Sequence, residues 1–136
     1  MSTCAGQEIP AWVMDPVSAE KMKTMAAILR DPNPLHWDRD AVAALPLGLG
    51  QRTINQGPLG LGYIVNMLHA WQGPGCLQRI TMTFPQVVLD GEHVTARGVV
   101  VGIEDNLVEC EVWLEQEVRG RLLEGRAWVR PKEDSP

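Results

Sequence analysis

Asp31 and His36 are the side chains of this sequence whose types and spacing point most directly to chemistry. They bracket the run Asp31-Pro32-Asn33-Pro34-Leu35-His36, in which two prolines limit backbone freedom and argue for a stiff, extended, non-helical loop. An imidazole titrates near neutrality and can take or give a proton, and a carboxylate can orient it or share the work. Held on one rigid loop, the two could be aimed at a single small substrate or a water molecule. The same residues also have a plain structural reading, with Asp31 capping a turn and His36 solvated at the surface. Residue chemistry alone leaves both open.

A second signal is Ile54-Asn55-Gln56-Gly57-Pro58, which opens an apolar stretch. Backbone N–H groups at a helix start attract negative charge, and glycine lets a ligand come close. Such a start could serve as an oxyanion hole for a thioester carbonyl becoming an enolate. It could equally be a helix cap beside a glycine turn.

The elements that must position these residues follow from the surrounding pattern. After a lead-in with a short strand expected around Ala11–Met14, Ser18 is a good N-cap and Glu20 suits the positive end of a helix. Met22, Met25, Ala26 and Leu29 repeat at helical spacing, and Pro32 ends that helix. Asp38 can cap a short helix to Leu45, with a further loop from Gly48 to Asn55. Pro58 fits the first turn of a helix running from Gly57 to about Trp71. Leu59, Leu61, Ile64, Val65, Met67 and Leu68 make it apolar nearly all round, so burial on most sides is expected. Beyond Gly73-Pro74-Gly75 the pattern turns to alternation: Ile80, Met82 and Phe84; the valine-rich run 93–103; Val108, Cys110, Val112 and Leu114; then Leu123, Gly125, Ala127 and Val129. Turns are expected at Asp90-Gly91 and Asp105-Asn106, and the small residues Gly125 and Ala127 would leave room for a packed helix. The fold class is therefore α+β, about four meandering antiparallel strands wrapped around one long helix, in a single domain spanning 1–136.

Composition bounds the function. A formal net charge of −5 disfavours nucleic acid and anionic membrane as partners. The run from Gly57 to Trp71 is too short to span a bilayer and contains Asn66 and His69, and residues 1–10 lack the basic start and apolar core of a signal peptide. Cys4, Cys76 and Cys110 are odd in number and share no metal-ligand spacing, so they are expected as reduced thiols of a cytoplasmic protein, without a bound metal.

The run Asp31 to His36 resembles the Asp-x-Asn-Pro-(aliphatic)-His signature of the MaoC-like, (R)-specific enoyl-CoA hydratases, and the order of elements over roughly 8–130 is similar to theirs. The resemblance implies a hotdog fold and the addition of water to a 2-enoyl-CoA to give a 3-hydroxyacyl-CoA, or the reverse. By the same resemblance, Asp31 and His36 would bind and activate the water, the Gly57 amide would stabilise the enolate, and Asn33 would brace the loop. Trp37, Gln56 and Pro58 join Asn33 as candidate substrate-binding residues. Coenzyme A would enter as part of the substrate, with no separate cofactor. The chain departs from common members in having Leu29-Arg30 before the motif and Gln56-Gly57 where many have His-Gly. Its Asn-Gln-Gly-Pro form resembles short members, some of which work beside a second hotdog chain, so a homodimer or such a heteromer is expected.

Two other readings compete. A hotdog thioesterase or acyl-carrier-protein dehydratase would place an acid on the central helix, yet Gln51 to Trp71 contains no carboxylate. A non-catalytic subunit of a heteromeric hydratase would need neither Asp31 nor His36. His69 and His93 read as structural or solvated, and Arg52, Arg79, Arg126 and Arg130 are candidates for the coenzyme A phosphates, against a default of solvated surface charge.

Overall fold

The computed structural model describes residues 3–30, 33–45 and 52–132. Asp31 and Pro32, and part of the expected loop from Gly48, lie outside them. The chain enters as β1 (Glu8–Met14), then forms α1 (Ala19–Leu29), a 3-10 turn at Pro34–His36, and the short α2 (Arg39–Ala43). The long α3 (Gly57–Gln72) follows, and then β2 (Leu77–Thr83), β3 (Val94–Glu104), β4 (Leu107–Gln116) and β5 (Gly120–Val129).

The caps are those that side-chain chemistry dictates. Ser18 Oγ accepts from the Lys21 N–H at 3.1 Å to start α1. Asp38 Oδ1 accepts from Asp40 and Ala41 to start α2. Arg30 ends α1 in the left-handed conformation, φ 52°, its N–H returning to the last turn. The expectation of a loop without helical structure before His36 is corrected. Pro34 fits the first position of a short helical turn, and Asn33 Oδ1 accepts from Leu35 N at 3.1 Å to cap it.

All strand pairs are antiparallel, in the order β1-β3-β4-β5-β2. This corrects the expected four-strand meander in two ways. The short strand near the start lengthens to seven residues and pairs with β3. Only β3, β4 and β5 meander, joined through Asp105-Asn106, both at positive φ in a two-residue hairpin, and through Glu117–Arg119. Those short turns force the three strands to be neighbours. With β1 on the far side of β3, β2 takes the free edge of β5. The turn at Asp90-Gly91 is present but leads into β3 without pairing β2 to it.

One face of the sheet buries α3. Ile64, Met67 and Leu68 on the helix meet Val100, Cys110, Val112, Leu114, Ala127 and Val129 in one apolar cluster. Each such side chain removed from water contributes about 1.5–3 kcal/mol. Burial on most sides is corrected in part: Pro58, Asn66 and Ala70 stay exposed on the side of α3 turned from the sheet. Burial also pushes the Cys76 thiol up and the Cys110 thiol up to about 12, which keeps both protonated and inert, while Cys4 is exposed.

The role expected of Gly125 is corrected as well. A Cβ there would overlap the Thr81 carbonyl of β2, so this glycine permits close approach of two strands. The helix instead comes close through its own Gly60, where a Cβ would meet Leu123 of β5 at 3.4 Å. Gly125→Ala should therefore lower stability by about 1–3 kcal/mol, as overpacking does. Gly62→Ala, in open space on the same helix, should be neutral or raise it by up to about 1 kcal/mol. Urea midpoints measure both; a neutral Gly125→Ala would contradict this strand contact.

Candidate active site

A short extended segment, residues 53–55, sits between the His36 turn and the start of α3. Ile54 donates its N–H to Leu35 O at 2.7 Å, Asn55 donates to Val88 O at 2.6 Å, and Thr53 O accepts from Asp90 N at 3.0 Å. Ile54 also bridges Leu89 in antiparallel fashion. The buried Asp90 carboxylate locks this segment: its Oδ2 accepts from both Thr53 N and Thr53 Oγ1 at 2.6 Å, and its Oδ1 lies 3.3 Å from the Arg39 guanidinium of α2. A charge so buried persists only with this much hydrogen bonding.

His36 is fixed by the same segment. Its Nδ1 stands 2.7 Å from Ile54 O. A carbonyl can only accept, so Nδ1 carries the proton and, in the neutral ring, Nε2 carries the lone pair. The imidazole is thereby set in the tautomer of a general base. It is half-buried at the end of the Pro34–His36 turn.

Gly57 follows Ile54 by three residues, a reach of at most about 10 Å. The Gln56 side chain makes no cap bond to α3, Pro58 has no N–H, and the Leu59 and Gly60 amides both turn back to Gln56 O at 3.1 Å. The first free donor at the positive end of a sixteen-residue helix is therefore the Gly57 amide. The Phe84 ring lies over this glycine, 3.3 Å from where a Cβ would stand.

The other candidates scatter. Asn33 caps the turn that carries His36. Gln56 points inward and donates from Nε2 to Met22 O at 2.7 Å, clamping α1 onto the start of α3. Pro58 is exposed on the first turn, and the Trp37 ring is 44% exposed within the single chain. His93 pairs with Asp15 at 3.0 Å on the surface. Of the arginines weighed for phosphates, Arg126 pairs with Glu109 at 2.9 Å and Arg79 lies 4.8 Å over Trp128, both on the sheet's outer face; Arg52 and Arg130 are exposed. Among the described residues no group of His, Cys, Asp or Glu could hold a metal ion. No helix there is long and apolar enough to cross a membrane.

Sequence reasoning missed Asp90, Thr53 and Tyr63. The polar atoms Asn55 Oδ1 and Nδ2, Gln56 Oε1 and Tyr63 OH are buried without a hydrogen-bond partner. Each such orphan costs about 1–3 kcal/mol. Tyr63 OH lies near enough to Asn55 to feel its amide, without a well-formed hydrogen bond. Burial pushes the phenol up, and the amide only partly opposes it. The signal available in the sequence was Asn55 and Tyr63 flanking a helix start otherwise almost wholly apolar.

The tautomer is directly measurable. Long-range ¹⁵N–¹H correlation spectra of the neutral His36 ring should show the proton on Nδ1, and a proton on Nε2 would contradict the Ile54 contact. Asp90→Ala should remove about 2–4 kcal/mol of stability by stranding the Thr53 donors and Arg39, read from thermal or urea unfolding.

Among curated proteins none is significantly similar in sequence. Among solved structures, the R-hydratase PhaJ1 from Pseudomonas aeruginosa superposes with TM-score 0.85 at 20% identity, over 97% of this chain and 84% of that one. The (R)-hydratase from A. caviae involved in PHA biosynthesis gives 0.83 at 23%, over 96% and 98%. A chain of the ChsH1–ChsH2 complex from Mycobacterium tuberculosis gives 0.81 at 18%, over 96% and 100%. These likenesses make the fold a hotdog, an antiparallel sheet curled round its central helix. The MaoC-like domain profile matches residues 2–118, and the chain therefore belongs to the MaoC-like dehydratase domain family.

Proposed function

We propose that the protein adds water across the double bond of a 2-enoyl-CoA to give a 3-hydroxyacyl-CoA, or catalyses the reverse. The observation that carries this reading is the Ile54 carbonyl, which accepts from His36 Nδ1 and lies three residues before the uncapped amide of Gly57. In the hydration direction, the thioester oxygen accepts from Gly57 N–H. His36 Nε2, with Asp31 as its expected acid–base partner, takes a proton from water while the water oxygen bonds to C3. The C2–C3 π electrons move to form C1–C2 double-bond character, and the thioester oxygen gains the negative charge that the amide and the helix dipole stabilise. The enolate then collapses and C2 takes the proton back from the His36–Asp31 pair. Water is consumed, one C–O and one C–H bond form, and no redox partner is needed. Family membership and (R)-hydratase neighbours support the reaction class.

Assembly is part of this reading. The outer edge of β2 carries unpaired backbone groups, and Phe84, just beyond it and over Gly57, is 51% exposed. A second hotdog chain, identical or related, would cover that edge and wall the substrate at the helix start. A hotdog heteromer is known for the neighbour in the ChsH1–ChsH2 complex, which supports the heteromeric form.

Two experiments test this. His36→Ala and Asp31→Asn should each lower kcat for enoyl-CoA hydration by about 10²–10⁴-fold with the circular dichroism spectrum unchanged. Near-wild-type turnover in either would exclude the assignment. Light scattering should give a two-chain or larger particle; a monomer active at assay concentration would defeat the shared-site arrangement.

A further inference from the structure

We propose that Asn55 and Tyr63 recognise an oxygen atom on the acyl chain, so that the preferred substrate is a hydroxylated or keto-bearing enoyl thioester. This rests on the hydratase reading above and specifies its substrate class. Asn55 is 5% exposed and Tyr63 2%, and although the Asn55 amide and the Tyr63 hydroxyl lie close enough to feel each other, none of the three polar atoms makes a well-formed hydrogen bond. Buried polar groups are nearly always hydrogen-bonded, so a pair that satisfies itself this poorly retains capacity for a further partner.

Its position says which partner. Asn55 Nδ2 lies 3.5 Å from where a Cβ on Gly60 would stand, so the amide faces bare backbone on the first turn of α3. Tyr63 is three residues further on, hence on the same helix face, its ring stacked on Trp12 with centroids 5.8 Å apart. Gly60 and Tyr63 lie about 4.5 and 9 Å along the helix axis from Gly57. An acyl chain with its carbonyl on the Gly57 amide and its tail along that face passes them at roughly carbons four to eight, once the Asn55 and Tyr63 side chains turn to admit it. A hydroxyl placed there can accept from Asn55 Nδ2 and Tyr63 OH and donate to Asn55 Oδ1. A keto oxygen can accept from the same two donors. A plain alkyl chain would leave all three atoms facing methylene groups, and a site built to bond an oxygen rejects the analogue that lacks it.

The test uses the protein in its native assembly with eight-carbon 2-enoyl-CoAs: unsubstituted, 6-hydroxy and 6-keto. Wild type should show kcat/KM about 10–100-fold higher for the oxygenated pair, and Tyr63→Phe and Asn55→Leu should each compress that ratio toward one. Tyr63→Phe preserves volume and decides the matter if Asn55→Leu does not fold. Calorimetric binding of saturated 6-hydroxyoctanoyl-CoA against octanoyl-CoA reads the same preference without chemistry. Binding preference without hydration would sink the hydratase reading and keep this one. Equal binding, or a preference that survives both substitutions, overturns it, as does an ordered water bridging Asn55 and Tyr63 that the bound acyl group leaves in place.

Discussion

The Ile54 peptide ties the candidate site together. Its N–H goes to Leu35 and its C=O accepts from His36 Nδ1, so one residue sets both the path of the Pro34–His36 turn and the orientation of its imidazole. The same segment leads directly into α3, whose first amide is uncapped. The carbonyl that holds the imidazole is therefore only three residues along the chain from the Gly57 amide. Asp90 makes that segment rigid. Two short bonds to Thr53 and the Arg39 ion pair over-determine its place, and with it that of the imidazole bonded to Ile54.

The sequence made the local elements legible wherever a side chain satisfies its own backbone or a period runs long enough. Ser18 and Asp38 cap their helices, Pro58 sits in the first turn of α3, and Asp105-Asn106 makes the β3–β4 hairpin, all as residue chemistry requires. What stayed hidden depends on contacts distant in the chain. The placement of β2 beside β5 follows from which strand edges remain after short turns have been satisfied, a competition that no single segment encodes. Asp90 read as one half of a turn, because its partner Thr53 is thirty-seven residues away. Asp31 and His36 were singled out by type and spacing, whereas the tautomer of His36 needed the distant Ile54 carbonyl. Gln56 pointed toward substrate in the sequence, yet its side chain reaches back to α1, since the free carboxamide at a buried helix start finds the Met22 carbonyl first.

The outer face of the sheet gathers ion pairs between its arginines and glutamates. Arg126 pairs with Glu109, Arg97 with Glu115, and Arg121 with Glu111 and Glu124 while lying 4.1 Å over Trp113. Those carboxylates hold the Arg121 guanidinium even more firmly charged than usual. Exposed pairs of this kind add little stability each. Their effect is to cancel part of the acidic charge on that face.

The start of α3 breaks the pattern that governs the rest of the core. Elsewhere the interior is apolar and closely packed, and buried polar groups such as Asp90 and Glu92 have several partners each. Within two turns of Gly57, Asn55, Gln56 and Tyr63 bury atoms without a well-formed hydrogen bond, next to a glycine and an uncapped amide. A helix of this hydrophobicity would be more stable with leucine at Asn55 and phenylalanine at Tyr63. Local sequences conflict with the fold chiefly where function requires it. That the conflict here falls on both sides of the amide, beside the carbonyl that orients His36, is what the proposed substrate site at this end of the helix would require.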